Sequence, residues 1–195
     1  RPVKSGAVRA YHISDTHNNS VSPPIAASVF GNIDFLIMNG DIPDHSGDIK
    51  NFDLIYKLCE AATGGERPCI FSRGNHDTRG FFAENIADYT PTENGHSYFT
   101  FRLGRIWGIV MDTGDCGLMG FYVLKMLWTA IFPVEYDWLV DTLKSTPEGY
   151  DIAVVGHMFA TQKPGEGGGS HGIYKILQAF RAKSKVEFDV PDKCD

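Results

Sequence analysis

The sequence has no closely spaced cysteines. Its four cysteines stand far apart, at positions 59, 69, 116 and 194, and no Cys-x-x-Cys pair occurs. This spacing argues against a zinc ribbon or a thioredoxin-type redox site. A chain of 195 residues buries roughly 70% of the surface that its unfolded form exposes, so its core needs no disulfides. We therefore expect free thiols, which favours a cytoplasmic location.

Positive charge is also scarce. The chain has 18 lysines and arginines against 24 aspartates and glutamates, which gives a formal net charge of −6, and its basic residues form no stripe. A general nucleic-acid-binding protein carries such a stripe, so nucleic acid is a possible but not a favoured ligand. An acidic chain that binds an anionic ligand needs cations to offset its own charge.

One stretch is long and apolar enough to raise the question of a membrane. It runs from Leu118 to Val134, and its length lies just within the range of about 17–25 residues for a spanning helix. Lys125 near its middle would cost about 2.5–3.5 kcal/mol on insertion, and Pro133 interrupts its end. A buried helix or an apolar lid is the better prediction, and membrane attachment through this segment is a weak alternative.

Three short apolar runs predict β-strands, and each is followed at once by a polar cluster. The runs are almost continuously apolar, which is typical of strands buried on both faces of a sheet. Ligands in α/β proteins bind at the carboxyl ends of strands, so the clusters are candidates for a site. The runs are AVRAYHIS, IDFLIMN and PCIFSR, and the clusters are DTHNNS, GDIPDHSGD and GNHDTRG.

Helical patterns and further strands complete the predicted domain. Apolar residues recur at the i, i+3, i+4 and i+7 spacing of one helix face from Phe52, from Tyr136 and from Ile173. SYFTFRLGRIWGIVMD predicts a hairpin that turns at Gly104, and DIAVVG predicts one more strand. The sequence thus predicts a single α/β domain over residues 1–195, with helices packed on sheet.

The polar clusters contain residue types that bind divalent metals. Asp15 and His17 stand two apart, and an extended backbone would send both side chains from the same face. Asp41 follows Gly40 and offers two oxygens that can bridge two metals, and Asn75 can bind through its carbonyl oxygen. Such oxygen and nitrogen donors suit Mn, Fe or Zn. Each feature taken alone also occurs as an ordinary turn.

Other residues of the same clusters have different predicted roles. His76 adjoins a candidate ligand and cannot easily face the same metal, so it is better placed to give a proton to a leaving group or to stabilise developing charge. Asp77 could hold His76 through its other ring nitrogen. Asp44 could support Asp41 or a histidine ligand by hydrogen bonding. His45 could contact a bound ligand.

Together the three clusters resemble a known family. DTH, NGDIPD and RGNHD, in this order at the ends of apolar strands, are similar to the first three motifs of the calcineurin-like metallophosphoesterases. The resemblance implies a sandwich of two β-sheets flanked by helices, with two divalent metal ions at one end. It implies that Asp15 and His17 bind one metal and that Asp41 bridges both. Asn75 would bind the second metal, and His76 would act as catalytic acid or charge stabiliser.

A late histidine fits the same resemblance. His157 in VVGHMFA follows a strand, as the histidine of the family's fourth motif does, and we assign it to the Asn75 metal; a buried core histidine is the alternative. The family's fifth motif, Gly-His-x-His, is absent, because Phe159 stands where its second histidine would be and His171 is isolated in a Gly-rich loop. We therefore predict a domain that lacks its C-terminal strands and binds metal weakly.

The resemblance implies metal-dependent hydrolysis of a phosphomonoester or phosphodiester, with a small-molecule or nucleotide phosphate ester as substrate. Two cations about 3.5–4 Å apart can clamp a phosphate and convert a shared water into a bridging hydroxide that attacks phosphorus. Asp44 stands where purple acid phosphatases place tyrosine, and GNHD departs from the GNHE of protein serine/threonine phosphatases. Because the last ligand motif is absent, a non-catalytic phosphoesterase-fold binding module is the alternative. Metal identity and oligomeric state stay open.

Overall fold

A computed structural model describes residues 8–113, 134–135 and 137–157 of the chain. The chain divides into two compact units, Arg1–Leu118 with Pro147–Met158, and Met119–Thr146 with Phe159–Asp195. All six described strands belong to the first unit. Within the described ranges, no helix combines the length and the apolar content that a membrane span requires.

Of the second unit, the described part includes helical residues at 134–135 and 137–145. Leu139 and Leu143 are buried there, as their helical spacing predicted. Several sequence predictions lie outside the described residues: the helix from Ile173, the apolar stretch before Val134, and the cysteines at 116 and 194.

Three parallel strands form the first sheet. They are β1 (Ala10–Ile13), β2 (Phe35–Asn39) and β3 (Cys69–Ser72), with β2 in the centre. Because both pairings are parallel, the carboxyl ends of the three strands reach the same edge of the sheet. The three predicted strands are confirmed, each shorter than its apolar run.

The side chains of β2 contribute to two different cores. Leu36 and Met38 belong to a cluster with buried helix residues such as Leu58, whereas Phe35 and Ile37 pack towards the second sheet. This division follows the two-residue period of a strand. It explains the continuous apolar run, since both faces of β2 are buried.

The apolar periodicity of the sequence did not predict helix α1 (Ser22–Phe30). Prolines at positions 23 and 24 occupy its first turn. Proline is preferred there because its fixed φ suits a helix and its missing N–H has no partner to lose. The helix places Ala27 in the same core as Leu36.

Helix α2 (Asp53–Thr63) follows a short 3₁₀ turn at Ile49–Phe52. Its core-facing residues include Leu54, Ile55 and Leu58. Tyr56, which the spacing placed on the buried face, is instead exposed. The helix was thus predicted correctly, but its buried face is rotated relative to the predicted one, so that Leu54 and Leu58 are buried and Tyr56 is not.

The second sheet packs face to face against the first. Strands β4 (Phe99–Leu103) and β5 (Ile106–Val110) form the predicted antiparallel hairpin, and β6 (Asp151–Val155) pairs with β5 in parallel. A short 3₁₀ helix at Ala83–Asp88 precedes the hairpin. The core between the sheets contains Phe35, Ile37, Ile70, Phe99, Val110 and Val155. The architecture is therefore the predicted one, an α/β fold with two sheets flanked by helices.

A buried ion pair joins the two sheets at one end. Arg73, after β3, pairs with Asp112, after β5, and both side chains are largely buried. Ser97 also donates a hydrogen bond to Asp112. Asp112 thus links the first sheet to the second.

Candidate active site

The predicted site residues lie in loops that follow four strands. Asp15 comes after β1, Asp41 after β2, Asn75 and His76 after β3, and His157 after β6. The first three loops share the edge where the parallel strands of the first sheet end. This is the edge at which α/β proteins commonly bind ligands.

Hydrogen bonds bring the end of β6 to the same edge. Asn39 Nδ2 donates to Gly156 O over 3.1 Å, and His157 Nδ1 lies 2.6 Å from Asn39 O. The last strand of the second sheet is thereby anchored to the central strand of the first. His157 enters the site through this contact.

The backbone at three site residues is left-handed. The angle φ is 54° at Asp15, 43° at His17 and 54° at Asp41, a region that is costly for residues with a side chain. Backbone hydrogen bonds hold it, because Asp15 N donates to Gly40 O and His17 N to Asp41 O, each over 3.1 Å. Our prediction that Asp15 and His17 lie on one face of an extended strand is therefore wrong. A tight turn brings them together.

Six side chains form a closed ring, which we call the carboxylate–imidazole ring. Neighbouring members approach within 3.2–3.9 Å. The ring contains two groups of three whose potential ligand atoms all lie within 4.8 Å of one another. In order around the ring, the members are Asp15, His157, Asp41, His76, Asp44 and His17.

The ring has a buried floor and an exposed rim. The side chains of Asp41 and His157 are only 4% and 6% exposed. Those of Asp15 and Asp44 are 58% and 51% exposed. A ligand can therefore approach from the rim, while the floor holds charged groups away from water.

Hydrogen bonds decide which ring nitrogen of each histidine carries the hydrogen. Nδ1 of His17 lies 3.2 Å from Asp44 Oδ1, and Nδ1 of His76 lies 2.6 Å from Asp44 O. Nδ1 of His157 faces Asn39 O. These oxygens only accept, so in the neutral rings Nδ1 carries the hydrogen and Nε2 has a lone pair. A second proton on His157 Nε2 would face Asp41.

The Nε2 lone pairs face carboxylate oxygens. His17 Nε2 lies 3.9 Å from Asp15 Oδ1, and His157 Nε2 lies 3.3 Å from Asp41 Oδ2. Two acceptors at such distances repel each other unless a cation or a proton lies between them. Metal-binding histidines are commonly oriented through the nitrogen that faces away from the metal. The donor set and its orientation thus fit cations.

Asp41 occupies the centre of the arrangement. Its Oδ1 accepts a hydrogen bond of 2.7 Å from His76 N, which leaves Oδ2 for the ring. Oδ2 lies 3.3 Å from His157 Nε2 and 3.9 Å from His76 Nε2. The side-chain amide of Asn75 lies 3.2 Å from the same oxygen. That amide can present its nitrogen, which would donate to Asp41, or its oxygen, which would bind a cation.

Most of the chain matches one protein family. The family model for calcineurin-like phosphoesterases, Metallophos, matches residues 8–188. The chain belongs to the calcineurin-like phosphoesterase family. Among solved structures, a dimetal phosphatase from Danio rerio is similar, with a TM-score of 0.61 and 10% identity over 88% of this chain and 77% of that one. The comparison with curated proteins gives no match.

Family membership makes the chain a metal-dependent hydrolase that acts on phosphoric ester bonds. It also gives the chain a dinuclear site for divalent metals. The similar fold of the dimetal phosphatase agrees with the two-sheet architecture described above.

Asp77 of this phosphoesterase supports the backbone, and our expectation that it holds the His76 ring is wrong. Its Oδ2 accepts hydrogen bonds from Asp41 N at 2.8 Å and from Gly74 N at 2.6 Å. The ring nitrogens of His76 face Asp44 O and Arg79 Nη1 instead. Asp77 is fully buried, and burial raises the pKa of its carboxyl to about 7, although both backbone hydrogen bonds lower it.

Asp41 and His157 stabilise each other's charge at the floor of the phosphoesterase site. Burial alone would raise the pKa of Asp41, yet hydrogen bonds from His157 and from His76 N hold it below its usual range. Burial alone would lower the pKa of His157. The hydrogen bond to Asp41, the Asn39 carbonyl and the nearby carboxylates raise it instead. The floor therefore favours positive charge beside Asp41.

Two glycines allow the loops of this phosphoesterase to close around the floor. A Cβ on Gly40 would lie 2.6 Å from His157 Cγ, and one on Gly74 would collide with the Asp41 side chain. Gly40 also has a φ of 77°, which glycine adopts without steric cost. The approach of His157 to Asp41 depends on the absence of side chains at these positions.

His45 is not part of the ring. Its side chain is exposed, and its Nδ1 accepts a hydrogen bond of 2.9 Å from Gly47 N in its own loop. A contact between His45 and the substrate stays a prediction.

Sequence reasoning passed over Arg79. In the GNHDTRG turn, Arg79 N donates to His76 O over 3.1 Å. The side chain folds back so that Nη1 lies 3.0 Å from His76 Nε2. The three-residue spacing from His76 was the available signal, since a turn returns residue i+3 towards residue i.

Proposed function

We propose that this phosphoesterase binds two divalent metals through five side chains and hydrolyses a small-molecule or nucleotide phosphate ester between them. The observation that carries the proposal is the carboxylate–imidazole ring, in which Nε2 lone pairs face carboxylate oxygens over 3.3–3.9 Å. The five side chains are Asp15, His17, Asp41, Asn75 and His157.

The ligands divide around Asp41. Asp15 and His17 would hold one metal together with Asp41. His157 Nε2 lies nearer to Asp41 Oδ2, at 3.3 Å, than to Asp15 Oδ1, at 3.9 Å, and the Asn75 amide lies beside the same Asp41 oxygen. His157 and Asn75 would therefore share the second metal with Asp41. This donor set contains oxygen and nitrogen only, which suits Mn, Fe or Zn.

When bound, two such metals supply positive charge to the phosphoryl oxygens and acidify a water molecule. The protein's part is orientation. Asp44 contacts Nδ1 of both His17 and His76, and so fixes the direction of both rings. Asp77 fixes the backbone of Asp41 and Gly74 through its two hydrogen bonds.

His76 is the proposed proton carrier. Its side chain is 25% exposed and lies between the buried Asp41 and the rim residue Asp44. Its Nε2 is free of hydrogen in the arrangement described above, so it can take up a proton. In the reaction, His76 Nε2 would give that proton to the oxygen of the leaving group.

The test is hydrolysis of two aryl esters by the full 195-residue chain. We expect Mn²⁺-dependent release of nitrophenol from 4-nitrophenyl phosphate or from bis(4-nitrophenyl) phosphate, and the preferred ester separates a monoesterase from a diesterase. Calorimetric titration with Mn²⁺ should accompany the assay. Tight Mn²⁺ binding without hydrolysis of either ester would contradict the proposal and favour a binding module.

A further inference from the structure

Arg79 lies beside the carboxylate–imidazole ring. Its Nη1 is 3.0 Å from His76 Nε2, and its Nη2 adjoins the side-chain amide of Asn75. In the part of the chain that the structure describes, no carboxylate oxygen comes within 4.0 Å of this guanidinium. Arg73, the other arginine that follows β3, forms an ion pair with Asp112.

The contacts of Arg79 leave donors without acceptors once a metal is held. If Asn75 turns its oxygen towards a cation beside Asp41, its NH₂ group faces Arg79 Nη2. Both groups only donate, so Arg79 loses that acceptor. Among the described residues, its other hydrogen-bond partner in the site is the Nε2 lone pair of His76. Among the described residues the half-buried guanidinium then has no anionic partner, so it is available to an anionic ligand.

The chemistry of a guanidinium matches a phosphoryl group. Its planar fork donates two parallel hydrogen bonds to neighbouring oxygens, and it keeps its charge at every working pH. The three carboxylates of the ring repel an anionic ester, and Arg79 lies where it can offset part of that repulsion. Arg79 also lies next to His76, the group placed near the leaving group.

We propose that Arg79 binds the non-bridging phosphoryl oxygens of the substrate, an inference that rests on the proposed function. Before the ester arrives, Arg79 donates to His76 Nε2. The ester draws the guanidinium onto its own oxygens.

The experiment compares Arg79→Gln and Arg79→Lys with Arg105→Gln. Arg105 lies in the turn between β4 and β5, is 77% exposed and pairs with Asp151, at the end of the second sheet opposite His157. Binding of inorganic phosphate to the Zn²⁺-loaded chain is measured by calorimetry. Initial rates with the better of the two aryl esters give kcat and KM separately.

We expect Arg79→Gln to bind phosphate at least about 10-fold more weakly and to lose about 100-fold in kcat/KM, as for the loss of one preorganised donor. Arg79→Lys should recover part of the phosphate affinity, since it keeps the charge but not the fork. Added guanidinium ion should partly restore Arg79→Gln. Arg105→Gln should behave as the wild type.

Two results would overturn the inference. One is unchanged phosphate affinity in Arg79→Gln, even with a lower kcat, because a residue that only orients His76 would give that split. The other is no phosphate binding by the wild type. If the wild type binds phosphate but hydrolyses neither ester, the proposed function fails, while the phosphate titration of the two variants still decides the role of Arg79.

Discussion

At the scale of single residues, the site depends on side chains that bind no metal in the proposal. Asp44 is half exposed, yet it contacts Nδ1 of both His17 and His76. Its carboxylate therefore orients the ring of His17, a proposed ligand, and its backbone carbonyl orients the ring of His76, the proposed proton carrier. Outer partners of this kind typically change metal affinity or activity 10- to 100-fold, by order of magnitude, when they are replaced.

We expect Asp44→Asn to lower Mn²⁺ affinity and kcat/KM by about 10- to 100-fold without loss of folding. The amide keeps the shape of the carboxylate but removes its charge. Calorimetric titration and initial rates give the two values. Asp53→Asn, at the exposed start of α2, is the matched control. Equal losses in both variants would show a general charge effect and contradict the role of Asp44.

Asp77 acts through its hydrogen bonds to the backbone, so its replacement should lower the free energy of unfolding. In Asp77→Ala the buried N–H groups of Asp41 and Gly74 lose their acceptor, at about 1–3 kcal/mol for each unsatisfied group. Asp77→Asn keeps an acceptor oxygen and should lose less. Urea denaturation measures both free energies of unfolding. If Asp77→Ala were no less stable than Asp77→Asn, these hydrogen bonds would not have the importance we give them.

At the scale of elements, the turn after β2 combines strain with close packing. Gly40 and Gly64 both have positive φ, 77° and 63°. A Cβ on Gly40 would press on His157, whereas a Cβ on Gly64 would meet no atom within 4 Å. Alanine at either position strains the backbone, but only alanine at position 40 would also displace a site residue.

We expect Gly40→Ala and Gly64→Ala each to lose roughly 1–2 kcal/mol of unfolding free energy through the left-handed backbone. Gly40→Ala should in addition displace His157 and weaken Mn²⁺ binding about 10-fold or more. Gly64→Ala should bind Mn²⁺ as the wild type does. Wild-type metal affinity in Gly40→Ala would contradict the packing of His157 against this turn.

Sequence patterns predicted the strands better than the turns that follow them. The strands could be predicted because an apolar run is a local signal. The left-handed backbone at Asp15 and His17 could not, since long-range hydrogen bonds to Gly40 and Asp41 stabilise it. Helix α1 is short, and Val29 on it is exposed, so it has little apolar periodicity. The role of Asp77 was missed because its partner Asp41 is 36 residues away in the chain.

At the scale of the whole molecule, the site needs both sheets in place. The first sheet supplies the loops with Asp15, Asp41 and Asn75, and the second supplies His157. The buried pair between Arg73 and Asp112 joins the sheets at this end. A local signal identified the loops, but only the packing of the sheets shows that His157 reaches Asp41.

Removal of one partner of this pair should destabilise the fold. We expect Arg73→Met to lose about 3–5 kcal/mol of unfolding free energy, because the buried Asp112 carboxylate loses its ion pair with the guanidinium. The double variant Arg73→Met with Asp112→Leu should recover much of the loss. Urea denaturation of the three chains measures this. A double variant that lost the sum of both single effects would contradict the coupling of the sheets through this pair.

The proposed function is metal-dependent ester hydrolysis centred on Asp41. It is tested most directly by comparing Mn²⁺-dependent hydrolysis of the two nitrophenyl esters by the wild type and by Asp41→Asn, with Asp53→Asn as control. We expect activity that EDTA abolishes and that Asp41→Asn lowers by more than about 100-fold, beyond the usual effect of an outer partner. Hydrolysis that survives EDTA, or that Asp41→Asn leaves at the wild-type rate, would contradict it.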